Sequence, residues 1–478
     1  MICYLPFCRV SRRFILAVLI CVITALAVVS CATTAVAARP NTFLDSVYAR
    51  LQRGDLEGAL SLFDSLSPEA AAKSSNLMVK ASIYFSAGKL EKARETAALA
   101  RENSSTTKDS LEAQFVLANI DGAEGKTKEQ KAKLDAILKT DPVFVPALNA
   151  NGTLALNNNE LRNAAGYYDA ALKVEPKNVD ALTGRAQVFR LQRQPKEALR
   201  RLNEAVELYP NDAQVLAQRG RLLREMGNPK DSLVDLDKAK KIAPGDYWIS
   251  YDRGRALLAM DKKRDALSEF ENAEKINPNI FVSYVYSAGI KDELGEYKSA
   301  MRDYEALVKI KPDYYFGQEM LGVHYMREKR FDLARDAFRT AYEASKGTYS
   351  YAILSVINGL YAGGKPAQFK EFLEEIMRKA DRSKIDYYVM RLFYDFKGDG
   401  DIAQRTNAEK DLRQKAKNLF YLASYYSVKG NEGLAQKLFN EFKGLQCRES
   451  LEWRIFEMVF ETGGVKAANA ATGARGNS

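Results

Sequence analysis

"KVEPKNVDA", residues 173–181, places Pro176 directly after an apolar and charged run with helical spacing. Prolines recur at Pro142, Pro176, Pro210, Pro244, Pro278 and Pro312, each 34 residues after the one before. With proline near one residue in twenty, five successive hits at a fixed step have odds of roughly one in three million. The proline is a mark on a ruler, and the fold must repeat with it.

Other residue types keep the same step. Twenty-four places before each proline stand Gly152, Ala186, Gly220, Gly254 and Ala288, and twelve before it Ala164, Ala198, Ser232, Ala266 and Ala300. Eight before it are Tyr168, Leu202, Leu236, Phe270 and Tyr304, and five before it Ala171, Ala205, Ala239, Ala273 and Leu307. One more unit follows without its proline, with Lys346 in that place and Gly322, Ala334, Phe338 and Ala341 in register. Each unit thus holds two apolar blocks of helical period, separated by turns such as "NNNEL" and "LGEY". Small residues let two helices approach, and the aromatic or leucine fills the space between them. The proline ends the second helix. Asn178, Asp212, Asp246, Asn279 and Asp313 are suited to cap the helix that follows.

A 34-residue unit with Gly/Ala, Ala, aromatic, Ala and Pro at these places resembles the tetratricopeptide repeat. The match is specific over residues 143–346 and weakens on both sides, as terminal repeats facing water should. The resemblance implies an all-α, right-handed superhelical solenoid of about eleven or twelve hairpins, with first helices lining the concave side. Degenerate units are expected over 42–142 and over 347–462, the latter closed by the amphipathic "ESLEWRIFEMVF". "IDYYVMRLFYDF", residues 385–396, is apolar on more than one face and is expected to pack against neighbours on both sides, with a partner site as the second reading. Residues 463–478 lack a packable face and read as a disordered tail.

The N-terminus follows different rules. Arg9, Arg12 and Arg13 precede the apolar run Phe14–Val29, and then comes "VVSCATT", residues 28–34. That order is an export signal, and Val28–Cys31 resembles the lipobox of bacterial lipoproteins. The expectation is a signal peptide over 1–30, acylation at Cys31, a linker over 31–41, and a repeat domain outside the cytoplasm in the cell envelope. A second reading takes "AVA", residues 35–37, as an ordinary cleavage site, and a third keeps the run as an anchor, although it is short for a span. "SRRFIL", residues 11–16, carries a weak likeness to twin-arginine export signals.

Removing the three arginines of the signal lowers the formal charge from +10 to +7. Only Cys31 and Cys447 would remain, so no disulfide framework holds the fold. No phosphate loop, paired Cys-x-x-Cys or His-Glu-x-x-His occurs. His324 is the single histidine and reads as packing. The sequence is read as non-enzymatic, with no cofactor and no nucleic-acid partner.

An array of hairpins offers a long surface, and the resemblance implies that it binds segments of other proteins. Along the first helices, Asn149, Asn157, Arg190, Arg221, Arg224, Trp248, Tyr251 and Arg255 fall in the register of the groove. Arginine offers a planar fork of donors to a carboxylate, and aromatics add contact area at little entropic cost. An acidic peptide or a C-terminal carboxylate would suit them. The family's clamp set of Lys, Asn and Arg positions is not reproduced. Arg185, Arg219 and Arg253, just before the small-residue position, are expected to trim the packing edge. The alternative reading is a carrier of a small apolar or anionic ligand for an envelope transport system.

Overall fold

The computed structural model describes residues 43–345 and 347–461. The signal, the linker, Cys31, Lys346 and the tail lie outside the described residues. Among the described residues there are helices and no strands. The class is an all-α tandem array of helical hairpins.

The chain divides into two compact units, one ending at Ile242 and the other beginning at Ala243. In the first unit, hairpins pair Phe43–Gln52 with Leu56–Ser61, Ser74–Ser86 with Leu90–Glu102, and Thr107–Ala123 with Thr127–Thr140. The next three pair Val145–Asn157 with Leu161–Val174, Val179–Leu191 with Pro195–Leu208, and Ala213–Glu225 with Pro229–Ile242. In the second unit the pairs are Tyr247–Leu258 with Lys263–Ile276, Phe281–Glu293 with Tyr297–Ile310, and Tyr315–Arg327 with Phe331–Ser345. Tyr349–Tyr361, packed on Phe331–Ser345, is followed by Lys370–Lys379, packed on Ile385–Asp395; Ile385–Asp395 with Asp399–Ala408, and Leu412–Val428 with Glu432–Gly444, complete it. A last helix, Leu451–Ile455, continues as a π-helical turn through Phe456–Glu461.

The small-and-large rule has a direct geometric basis. A methyl group placed on Gly152 would stand 2.8 Å from the Tyr168 ring, and one on Gly322 2.9 Å from the Phe338 ring. Each pair is sixteen residues apart, which brings the first helix of a hairpin onto the second. Between them the chain turns through one left-handed residue: Asn159, Arg193, Gly227, Asp261, Gly295 and Lys329, with φ from 57° to 84°. These also recur every 34 residues. Glycine serves that turn without the steric cost that Arg193 and Lys329 bear.

Capping follows the ruler only in part. The side chains of Asn178, Asp212 and Asp246 accept backbone N–H groups at the starts of their helices. Asn279 and Asp313 do not, because they stand one place before the cap position, which Ile280 and Tyr314 occupy. Asp313 instead pairs with Lys311.

Ion pairs run alongside the apolar core. Arg219 holds Asp235 of its own hairpin through two bonds of 2.7 Å and reaches back to Asn203 at 3.1 Å. In the second unit Arg253 pairs with Glu269, and Lys291 bridges Glu271 at 3.1 Å and Asp303 at 2.7 Å. Arg185 turns the other way, to Asp169 at 2.8 Å, because Arg201 fills the place where Asp235 and Glu269 stand in the next two hairpins.

The second unit carries a continuous core from Val323 to Val459, joined by side chains of the last four hairpins and of the closing helix. The helix Ile385–Asp395 contributes Val389, Met390, Leu392 and Phe393 to it and contacts both flanking hairpins.

Candidate functional site

The eight residues in groove register fall in both units. In the first, Arg190 and Arg221 line one shallow concavity with Gln187, Gln218, Leu202 and Leu222. It lies between the first helices Val179–Leu191 and Ala213–Glu225, with the second helix Pro195–Leu208 as its floor. The Arg190 Nε donates to Gln187 at 3.0 Å, and its Nη1 lies 3.3 Å from a Glu225 carboxylate oxygen. Arg224 reaches the same carboxylate at 3.7 Å, with its side chain about 10% exposed. Two arginines of adjacent first helices, Arg190 and Arg224, therefore share one acidic residue. The concavity has about 10 Å³ of open space, room for a single water. It is a surface for an extended or protruding group and does not enclose a small molecule, which needs a few hundred Å³.

Asn149 and Asn157 are not brought together. Asn149 is 6% exposed, and its amide donates to Asn178 at 2.9 Å, so it ties one hairpin to the cap of the next. Asn157 ends its helix and is exposed.

In the second unit, Trp248, Tyr251 and Arg255 are brought together. Tyr251 is only 3% exposed and packs against Tyr247, Trp248, Phe270 and Tyr286, with centroids 5.6–6.2 Å apart. Trp248 is half-buried, with its ring edge-on to Tyr251. The Arg255 guanidinium stands 5.8 Å from the centroids of both Tyr251 and Tyr286, within cation–π range. Tyr251 is thus a floor, with Trp248 and Arg255 above it; Tyr286, on the next first helix, was not singled out from sequence.

The lone His324 is buried. Its Nε2 stands 3.0 Å from an Asp292 oxygen, and the Tyr304 hydroxyl donates to the other oxygen at 3.0 Å. The imidazole is packed between two neighbouring hairpins. Among the described residues, no group of three or more His, Cys, Asp and Glu could hold a metal ion. No helix among them is long and apolar enough to cross a membrane.

The hairpins define an α-solenoid, the architecture of interaction arrays. The family model described as "Tetratricopeptide repeat" matches residues 149–213 and 290–347, so the chain carries tetratricopeptide repeats. No curated protein matches the chain. Among solved structures it is similar to a tetratricopeptide repeat protein from Parabacteroides merdae, at 21% identity over 51% of this chain and 96% of that one, with a TM-score of 0.40. It is similar to Pseudomonas aeruginosa pilF at 20% identity over 43% and 94%, with a TM-score of 0.40. It is also similar to YrrB, whose structure is described as a TPR protein with an unusual peptide-binding site, at 19% identity over 38% and 95%, with a TM-score of 0.31. Tetratricopeptide arrays act as protein-interaction scaffolds, and no catalytic family is indicated.

Proposed function

We propose that the chain is a non-enzymatic scaffold of the bacterial cell envelope, lipid-anchored at Cys31, with its repeats outside the cytoplasm. Its partner is a protein that presents an acidic segment or a C-terminal carboxylate to the first-helix face. Arg190 and Arg221 receive the carboxylates in the first unit, with Arg224 behind them. Trp248 and Arg255, on their Tyr251 floor, offer an aromatic and cationic surface in the second. Asn149 sets the neighbouring hairpin, and Asn157 borders the face at the end of its helix.

The single observation that carries this reading is the shared concavity of Arg190 and Arg221. Two guanidinium groups from successive hairpins flank an opening too small for a soluble ligand, so a carboxylate would meet them at its rim. Charge-assisted bonds from arginine to carboxylate are roughly twice as strong as neutral ones and can be bidentate. The pairing of Arg190 with the Glu225 carboxylate supports this reading, since that guanidinium is already turned toward an acidic group.

The test is a photo-cross-linking residue in place of Gln187 or Gln218, activated in intact cells and followed by mass spectrometry. The expected product is one partner, cross-linked through an acidic stretch, and lost when Arg190→Ala and Arg221→Ala are combined. Cross-linking that persists in the double variant, or through a stretch without acidic residues, overturns the site.

A further inference from the structure

The last helix of a repeat array normally turns a polar face to water, because nothing stacks beyond it. Leu451–Glu461 keeps only a narrow one, at Arg454, Glu457 and Glu461. Glu452, Trp453, Ile455, Phe456, Met458 and Val459 are all buried, and only Glu457 and Glu461 are exposed. The rest of its circumference is buried, against neighbours on two sides. On one side it packs against the final hairpin, with Trp453 and Phe456 against Phe442, and Phe456 and Phe460 against Phe439. On the other it crosses the first helices of earlier hairpins. Arg454 donates to Glu319 at 2.9 Å, 135 residues back in the chain, and the Ser350 hydroxyl donates to Glu452 at 3.2 Å. The Tyr421 hydroxyl donates to the same Glu452 oxygen at 2.9 Å.

We propose that the first-helix face of Tyr315–Arg327, Tyr349–Tyr361 and Leu412–Val428 is a helix-binding site, held in cis by the chain's own Leu451–Glu461. Its occupant in trans is an amphipathic helix of a partner protein, carrying a carboxylate where Glu452 stands, a cation where Arg454 stands and aromatics between and beyond them. Helix-in-groove recognition works through such anchors at helical spacing.

Three features favour a ligand-like segment over a plain extension of the core. Its anchors are ionic and buried: Glu452 is 5% exposed and accepts two hydroxyls, and Glu319 accepts from both Tyr351 and Arg454. Apolar residues of the same volume would stabilise a core at least as well, so a buried charge set serves to specify which helix sits there and in which register. The segment is tethered at one end by six residues, Leu445–Ser450, with Gln446 in a left-handed turn at φ 50°. Its distal half borders a cleft of about 170 Å³, lined by Ser427, Phe439, Lys443, Phe456 and Phe460, so the seat is not sealed. The π-helical turn at Phe456–Glu461 belongs to a rare conformation that is frequent at functional sites.

This surface is built of other residues than the concavity of Arg190 and Arg221, and the inference does not rest on the reading given for that one. To test it, a specific protease site is inserted between Gln446 and Cys447 of the full chain. After cleavage, a fluorescent peptide with the sequence of residues 448–461, RESLEWRIFEMVFE, is added. The expected result is exchange of the cleaved segment for the peptide, seen as raised anisotropy and release of the segment on a sizing column. A Glu452→Ala peptide should bind at least about tenfold more weakly, since it leaves two buried hydroxyls without their acceptor. An Arg454→Glu peptide should also bind weakly to the cleaved chain and recover on a Glu319→Arg chain. Arg190→Ala with Arg221→Ala should leave every one of these values unchanged. Three results overturn the proposal: no exchange within a day, exchange indifferent to Glu452→Ala and Arg454→Glu, or loss of helical circular dichroism from the chain once the segment leaves. The last would make the segment a part of the core.

Discussion

A methyl group on Gly254 would lie 2.8 Å from the ring of Phe270, sixteen residues further along. No real side-chain carbon sits so near an aromatic ring, so the ring or the helix must move. Overpacking of this kind costs about 1–3 kcal/mol, while alanine improves helix propensity by about 1 kcal/mol. Gly254→Ala is therefore expected to lower stability by about 1 kcal/mol in urea unfolding. Combining it with Phe270→Leu should return most of the loss. An unchanged midpoint for the single variant would show that the hairpin has slack.

The Arg219–Asp235 pair joins the two helices of one hairpin through two bonds, with Asp235 almost fully buried. Arg219 is raised above the usual arginine range by that bond. Asp235→Ala strands a partly buried guanidinium, and Arg219→Met strands a buried carboxylate. Each single variant should lose more than its share, and a double-mutant cycle should give a coupling of about 1–3 kcal/mol. Additive losses would mean that the pair contributes no interaction of its own.

Burial pushes the Glu274 carboxyl up from 4.5 to about 7, against the Ser287 hydroxyl that donates to it at 2.6 Å. The folded state then holds this proton more tightly than the unfolded chain does. Stability must fall as pH rises from about 4.5 to about 7, and level off above that range. The span corresponds to about 3 kcal/mol at most, at about 1.4 kcal/mol per pH unit. Glu274→Gln is expected to flatten the pH dependence of the unfolding midpoint over that range. A variant with the parent's slope would assign the titration elsewhere.

Binding of an acidic partner segment at Arg190 and Arg221 should weaken with added salt, because half-exposed charges are screened within about 10 Å at 0.1 M. Arg190→Ala with Arg221→Ala should lower affinity about tenfold or more at low salt and flatten the salt dependence. Isothermal titration at several ionic strengths checks both. Parallel salt slopes for the parent and the variant would show that the partner's charge is read at other residues.

The lipid anchor is tested at Cys31. Cys31→Ser should move the chain from the membrane fraction to the soluble one and remove the acyl mass from its N-terminus. A single acyl chain holds only reversibly, whereas several together hold firmly. Retention of the variant on membranes would mean that the apolar run Phe14–Val29 is the anchor.

The hairpin plan was legible because its rule is local. The residue pairs that set it are sixteen apart, and the units repeat 34 apart, so period alone locates Gly152 against Tyr168 and Gly322 against Phe338. The left-handed turn was half legible: Asn159, Gly227 and Gly295 advertise it, but Arg193 and Lys329 carry no chemical mark of that conformation. Arg185 shows a different limit. Its periodic equivalents pair forward, and only the exchange of an acid for Arg201 turns it backward.

In the candidate site, register along a helix fixes height but leaves rotation open by a fraction of a turn. Arg190 and Arg221 converge on one concavity, whereas the Asn149 amide is drawn in by Asn178 and the Tyr251 ring by four aromatic neighbours. The inward placement of Leu451–Glu461 had no periodic signal at all. Its amphipathic pattern announces a helix, and nothing in it names Glu319 or Ser350 as neighbours.

That placement also bears on the order in which the molecule assembles. Contacts within and between adjacent hairpins join residues close in sequence, which makes them quick to form. The bonds from Glu452 to Ser350 and from Arg454 to Glu319 close loops of 102 and 135 residues, and their donors and acceptors meet only after the intervening hairpins exist. Refolding should accordingly show a fast gain of helix followed by a separate late step, visible in the fluorescence of Trp453, whose rate is set by loop closure and not by helix formation.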